Sequence, residues 1–355
     1  MKKDKLLELF NSLTLEEKIG QLVQLNPDFL NESDTVHTGP ISSIGIKEEM
    51  ISYTGSILNS VNAKQIKTIQ KEYIEKSRHK IPLLFMADII NGYKTVFPIP
   101  LALGCSYDFK LVKETAQISA KEAAVSGIHV TFSPMVDMVH DARWGRVMES
   151  YSEDVYLNNQ YAEAMVTGYQ GTNDPHNNIA SCVKHFAGYG GAQSGRDYNT
   201  VELSKRTLLE EYLPAYHSAI KAGCKMVMTS FNTIDRIPVT ANKWLLRNIL
   251  RNEWNFKGVT ISDHSAIKEL INHGIARDEK EAAQKALEAG CDIDMMTACY
   301  ANNLSRLVKE KKLDISYIND AAFRVLELKN DLGLFENPYR GADEDDEKKY
   351  ILAPE

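Results

Sequence analysis

The sequence predicts a closed parallel α/β barrel of the TIM type, (β/α)8, with irregular first strands. Short, almost wholly apolar runs bounded by turn residues alternate with longer amphipathic segments over about 300 residues. The runs are Ser56–Leu58, Pro82–Ala87, Ile128–Ser133, Ala180–Val183, Lys225–Thr229, Val259–Ser262 and Asp292–Met296. Continuous apolar character is what strands covered by helices on both faces require. No Gly-x-Gly-x-x-Gly follows any run, which ranks a doubly wound, nucleotide-binding sheet second to the barrel.

The elements between the runs carry their own signals. The first clear helix opens at the capping box Thr14-Leu15-Glu16-Glu17, with Ile19, Leu22 and Val23 at helical spacing. Residues 38–56 are punctuated by Gly and Ser and show no strong period. Asp108 is placed to cap a helix whose Leu111, Ile118 and Val125 lie one heptad apart, and Gly127 is placed to end it. The last helix starts near Ser316, carries Ile318, Ala322, Val325 and Leu328 on one stripe, and stops at Gly333. From Asn337 to Glu355 the composition changes to Pro338, Gly341, the acidic run Asp343–Glu347 and Pro354, which reads as a linker. The expected organisation is a barrel over 1–336 and a linker over 337–355.

Composition narrows the class of function. Of 355 residues, 43% are hydrophobic and 25% charged, and 41 basic against 48 acidic side chains leave a net charge of −7. A nucleic-acid binder needs a basic stripe to neutralise phosphates, so none is expected as a partner. No stretch reaches the roughly 18–20 apolar residues of a membrane span, and Glu8 and Asn11 interrupt any apolar signal core. Cys105, Cys182, Cys224, Cys291 and Cys299 are odd in number and form no CxxC pair. They are expected to be reduced, buried thiols in a cytoplasmic protein.

In a parallel barrel the site lies at the C-terminal ends of the strands. The residues after the runs are Asp88, Lys184-His185, Phe231 and Asp263, with the turn Arg143-Trp144-Gly145-Arg146 after the third run. Taken singly each has a plain reading: a helix cap, a solvated pair, a core histidine, a surface ion pair. Taken together, ionisable groups at several strand exits are hard to explain by packing. There is no His-x-His, no His-Glu-x-x-His and no Cys/His cluster, so no metal or other cofactor is expected. No Gly-x-Ser-x-Gly elbow and no phosphate loop is present. Two carboxylates with Lys, His and Arg suit a polyhydroxylated neutral ligand such as a sugar, one carboxylate being free to attack an anomeric carbon.

At these residues the sequence resembles glycoside hydrolase family three, the retaining β-glucosidase type, over nearly its whole length. The resemblance rests on Ile81-Pro82-Leu83-Leu84-Phe85 leading to Asp88, then Thr95-Val96-Phe97-Pro98. It rests also on Arg143-Trp144-Gly145-Arg146 through Glu149-Ser150-Tyr151-Ser152-Glu153-Asp154, on Val183-Lys184-His185-Phe186, and on Gly258 through His264. Leu332-Gly333-Leu334-Phe335 with Asn337-Pro338-Tyr339 resembles the family's barrel exit. The resemblance implies that Asp263 is the nucleophile forming a glycosyl-enzyme intermediate. It implies that Asp88, Arg146, Lys184, His185 and Arg196 bind sugar hydroxyls, Arg196 within Gly195-Arg196-Asp197-Tyr198-Asn199-Thr200. The substrate it implies is a saccharide ending in a β-glucosyl residue.

There are departures. Asn91 stands where many members carry His, Phe231 where others have Tyr, and His264 where Trp is commoner; Phe231 and His264 are still expected to bind substrate. Two-domain members take their general acid/base from a second domain, which lies outside these 355 residues. Docking to such a domain, or homodimerisation, is expected to cover the matching face. Single-domain β-N-acetylhexosaminidases of the family use a His–Asp pair on a Lys-His-Phe-Pro-Gly-His-Gly loop. Here that loop reads Lys184-His185-Phe186-Ala187-Gly188-Tyr189-Gly190-Gly191. Glu149 and Glu153 are read as braces of the Arg146 turn. A non-catalytic sugar-binding barrel and a Schiff-base aldolase using Lys184 are the readings from other classes.

Overall fold

Eight short strands, every one of them buried, run parallel around a common axis in this computed structural model, which describes residues 1–30, 44–171, 174–198 and 200–354. They are β1 Val23–Leu25, β2 Ser56–Leu58, β3 Leu84–Ala87, β4 Val130–Thr131, β5 Ala180–Phe186, β6 Met226–Thr229, β7 Val259–Ile261 and β8 Asp294–Met295. Their spatial order is β8-β1-β2-β3-β4-β5-β6-β7. A parallel bridge between Ile261 and Ile293, with Ser262 N–H donating to Ile293 O at 2.9 Å, closes the sheet into the expected barrel. Residues 38–43, Asn199 and Glu355, all covered by the sequence expectations, lie outside the described residues.

Helices enclose this sheet, and their caps explain where they begin. α1 Lys3–Ser12 and α2 Leu15–Gly20 precede β1, and α2 opens on the complete Thr14–Glu17 capping box. Asn62 caps α3 Ala63–Lys76, Asp108 caps α4 Phe109–Val125 and Asp154 caps α5 Val155–Gln170 through backbone N–H groups of the first turn. α6 Pro214–Lys221 follows β5, α7 Ala266–Asn272 and α8 Glu279–Ala289 follow β7, and α9 Cys299–Lys309 and α10 Ile315–Asp331 follow β8. The stripe Ile318, Ala322, Val325 and Leu328 of α10 is buried as expected, and Gly333 lies just beyond its end.

Several expectations are corrected. Val23 belongs to β1, not to the first helix: α2 stops at Gly20, where a Cβ would stand 2.2 Å from the Tyr53 carbonyl oxygen. Periodicity cannot see that close approach. On α4 the buried face is Val112, Ala116, Ala120 and Ala123, while Leu111 and Ile118 of the expected stripe are 43% and 41% exposed. Small residues let α4 lie close to α5, so size outweighs the heptad of larger side chains. Cys105 is exposed; the other four cysteines are buried, and all five are free.

The acidic tail, whose composition reads as a linker, is ordered. Glu344–Tyr350 forms α11, capped by Asp343, against α3 and α4. Glu347 accepts from Ala63 N–H at 3.0 Å, Asp343 N–H donates to Val125 O, and Lys121 stands 3.8 Å from the centre of the Tyr350 ring. Buried Glu122 of α4 joins this tail to the loop after β3. It accepts from Lys94 N–H, from Thr95 N–H and hydroxyl, and from Leu352 N–H at 2.5–2.9 Å. Burial opposes its charge, but these four donors outweigh burial and hold its pKa below the usual carboxylate range.

Glu122→Ala is expected to lower the unfolding free energy by about 3 kcal/mol at pH 7, because it orphans buried N–H groups. A depressed folded pKa adds stability above the unfolded value and loses it as pH falls. The deficit in urea melts is therefore expected to shrink from pH 5 to pH 3. An unchanged midpoint at pH 7 would refute the clasp.

Candidate active site

The strand exits turn a set of charged side chains into one cup. Asp88 follows β3 and is half exposed; Lys184, from β5, is 4% exposed and donates from Nζ to Asp88 Oδ1 at 2.6 Å. A register irregularity in the β5–β6 ladder lies between Val183 and Phe186. Within that stretch the adjacent His185 also reaches the cup. Its Nε2 lies 3.4 Å from Asp263 Oδ2, at the exit of β7. Asp263 Oδ1 accepts from His264 N–H at 2.7 Å, while the buried Oδ2 has no hydrogen-bond partner among the described residues. An unsatisfied buried carboxylate oxygen is costly and calls for a functional explanation.

Arg146 reaches the cup from the turn after β4. Glu149 grips it with both oxygens, at 2.7 and 2.9 Å, and its guanidinium lies 5.7 Å from the centre of the Tyr189 ring. Trp144 Nε1 donates to Asp197 Oδ1 at 2.9 Å and ties that turn to the loop after β5. Gly195, at φ +64°, passes so close that a Cβ would meet the Trp144 nitrogen at 2.6 Å. Tyr189, Tyr198 and Phe231 form an aromatic wall with ring centres 4.9–6.2 Å apart. Tyr198 is the exposed end of it, at 53%.

Burial sets the electrostatics. It raises the Asp263 pKa to about 7, against the lowering effects of Lys184, the His264 N–H and Arg146, and with Asp88 adding to the rise. Burial also pushes His185 well below its usual value, helped by Arg146 and Lys184, so the ring is neutral. For Lys184 burial opposes the charge, but Asp88, Glu149 and Asp263 outweigh it and the ammonium is kept. A charged, ion-paired ammonium is no amine nucleophile, which removes the basis for the aldolase reading.

Of the eight residues expected at the site, seven meet here: Asp88, Arg146, Lys184, His185, Phe231, Asp263 and His264. Arg196 does not. It is exposed, and among the described residues no hydrogen bond or ion pair links it to the cup. Glu149 braces Arg146 as expected; Glu153 is exposed and has no such contact among the described residues. Asn91 closes its own loop, donating to Phe97 O at 2.9 Å. The sequence reading misses Asp137 and Tyr216. Asp137 Oδ2 accepts from the His185 backbone N–H at 3.1 Å and meets Nδ1 at 2.8 Å, and Tyr216 of α6 touches Asp137 Oδ1 at 2.7 Å. The missed signal was a carboxyl alone in the apolar stretch Phe132–Val139. Among the described residues no group of three His, Cys, Asp or Glu side chains is placed to hold a metal.

Residues 14–328 match the glycosyl hydrolase family 3 N terminal domain. The chain belongs to glycosyl hydrolase family 3. A periplasmic β-glucosidase of Salmonella typhimurium is 40% identical over 94% of this chain and 42% of its own length. A putative β-xylosidase of Formosa agariphila is 33% identical over 93% of this chain and 46% of its own. The β-glucosidase of Listeria innocua, solved with isofagomine, superposes with a TM-score of 0.95 at 51% identity, over 99% of this chain and 49% of that one. The chain thus spans about half the length of these family 3 relatives.

The raised Asp263 pKa has a stability consequence. Between an unfolded value near 4 and the folded value of about 7, the folded protein binds the extra proton, so its stability falls as pH rises. Asp263→Asn removes that burden. Its melting temperature is expected to exceed the parent's by a margin that grows from pH 4 to pH 7 and then levels off. A margin that shrinks over this range would refute the assignment.

Proposed function

We propose that these residues form the nucleophile and the −1 subsite of a retaining β-glucosidase acting on terminal β-glucosyl residues. One observation carries the reading: Asp263 Oδ2 is buried, has no hydrogen-bond partner among the described residues, and lies 3.4 Å from His185 Nε2 within the field of Lys184 and Arg146. An oxygen with no protein partner is free to meet an anomeric carbon. Ionised Asp263 attacks C1 and forms a covalent glycosyl ester, while the bond to the leaving oxygen breaks. Ring hydroxyls that donate to the Asp88 carboxylate hold it more tightly as positive charge builds on the ring, which lowers the barrier, while Lys184 and Arg146 donate to hydroxyl oxygens and fix the ring in place.

Glu149 has both oxygens on Arg146, and Asp137 has both engaged by His185 and Tyr216. Asp88 is ion-paired to Lys184. None is free to protonate a leaving group, so in this proposal the general acid/base lies outside the cup, in the part of the enzyme that the relatives' greater length represents. The Listeria innocua protein, solved with glucose and, as a mutant, with laminaribiose, supports a glucosyl ligand at the −1 position.

A 2-deoxy-2-fluoro-β-glucoside with a dinitrophenyl leaving group needs no acid for departure. The 355-residue chain is expected to gain one fluoroglucosyl mass on the peptide carrying Asp263, and Asp263→Ala is expected to gain none. The labelling rate is expected to fall below pH 7 as Asp263 takes up its proton. Lys184→Met, which removes the leading counter-charge, is expected to move that limb upward. Folded protein with no adduct on Asp263 would favour a non-catalytic sugar-binding barrel.

A further inference from the structure

Three contacts meet at the Asp137 carboxyl and a fourth adjoins it, and few protons are available to fill them. Asp137 Oδ2 lies 2.8 Å from His185 Nδ1 and 3.1 Å from the His185 backbone nitrogen. Asp137 Oδ1 lies 2.7 Å from the Tyr216 phenol oxygen, which lies 2.6 Å from the His185 carbonyl oxygen. Asp137, His185 and Tyr216 are all at most 1% exposed. The backbone N–H can only donate and the carbonyl can only accept. Oδ2 therefore accepts from the backbone, and an N–H on Nδ1 suits the same oxygen. On the other side Tyr216 has one proton for two oxygen neighbours. Given to the carboxyl, it leaves two oxygens 2.6 Å apart with nothing between them; given to the carbonyl, it leaves the Oδ1 contact empty.

We infer that Asp137 is a neutral carboxylic acid and a positioning residue that, with Tyr216, locks His185 as the Nδ1–H tautomer, so that Nε2 offers a lone pair to the ligand. Asp137 Oδ1–H donates to Tyr216, Tyr216 O–H donates to the His185 carbonyl, and both His185 N–H groups donate to Oδ2. Every contact is then filled, and no net charge is buried. Within the cup His185 is an acceptor, and a sugar hydroxyl between Nε2 and Asp263 donates to it.

The groups facing Asp137 agree. Burial pushes its pKa to about 7, against Tyr216, Arg146 and the His185 N–H, with Glu149 adding to the rise. Burial also holds Tyr216 well above the usual phenol value. Lys184 and Arg146 disfavour a second proton on His185.

Asn mimics a neutral acid here: its oxygen accepts where Oδ2 does, and its N–H donates to Tyr216 as Oδ1–H does. Asp137→Leu is expected to slow Asp263 labelling about 100-fold, and Asp137→Asn to recover at least about tenfold of that loss. A carboxylate orienting a histidine by charge would behave oppositely, with Asn costing about 10⁴-fold through the wrong tautomer. The labelling arm rests on the glycosidase reading. A second arm does not: ¹⁵N NMR of histidine-labelled chain at pH 6 is expected to show His185 protonated at Nδ1 and bare at Nε2, in the parent and in Asp137→Asn. An Nε2–H ring or an imidazolium in the parent overturns the inference whatever the labelling shows, and so does Asn labelling no faster than Leu. The expected tautomer in a parent that takes no label sinks the glycosidase reading alone.

Discussion

A carboxylate held nearly dry with one oxygen unpaired is the constraint to which the rest of this site answers. Asp263 stays ionisable only because Lys184 and Arg146 supply positive charge, and because a backbone N–H holds its other oxygen. Each cation is in turn restrained by a carboxylate of its own, Asp88 for Lys184 and Glu149 for Arg146. The charges are thus placed by ion pairs that keep them from collapsing onto Asp263. A histidine kept neutral stands next to it, so positive charge is not doubled beside Asp263 Oδ2.

The barrel makes this arrangement possible through convergence. Its ladders are short, several with only two register pairs, so the strands contribute little length and much direction. Parallel strands deliver all their exits to one end, where residues distant in sequence meet within hydrogen-bond range. Links between neighbouring loops then fix the cup: Trp144 to Asp197, Asp137 to His185, and Glu122 to both the loop after β3 and the tail. That last link gives the acidic tail a place in the active-site architecture, since it packs on the helix that holds the Asp88 loop.

Membership of glycosyl hydrolase family 3 and the division of labour within the cup fit together. The family 3 relatives are roughly twice as long, and Glu149, Asp88 and Asp137 around Asp263 are held by Arg, Lys, His or Tyr partners. In the proposed reaction this cup binds and attacks the sugar ring, and proton donation to the aglycone is a separate task. Tyr189, the buried end of the Tyr189–Tyr198–Phe231 wall, lies beside Arg146, and Tyr198 is its exposed end.

Much was legible from the chain alone. The alternation of apolar runs and capped helices determined the barrel, because strand burial and helix capping are local requirements written in neighbouring residues. The blocks around Asp88, Arg146, Lys184-His185 and Asp263 determined the family and most of the cup. What the tertiary structure decided involved contacts between distant segments. Gly20 ends a helix because Tyr53 crosses it, and Leu111 faces water because α5 packs against the alanines of α4. Among the described residues Arg196 makes no hydrogen bond or ion pair with the cup although it lies on a site-facing loop, and the tail docks because Glu122 has an oxygen to offer it. Asp137 and Tyr216 are 79 residues apart, and their shared hydrogen bond forms only once the barrel closes. Composition and periodicity report on one element at a time; the protonation of a buried cluster depends on every group that faces it.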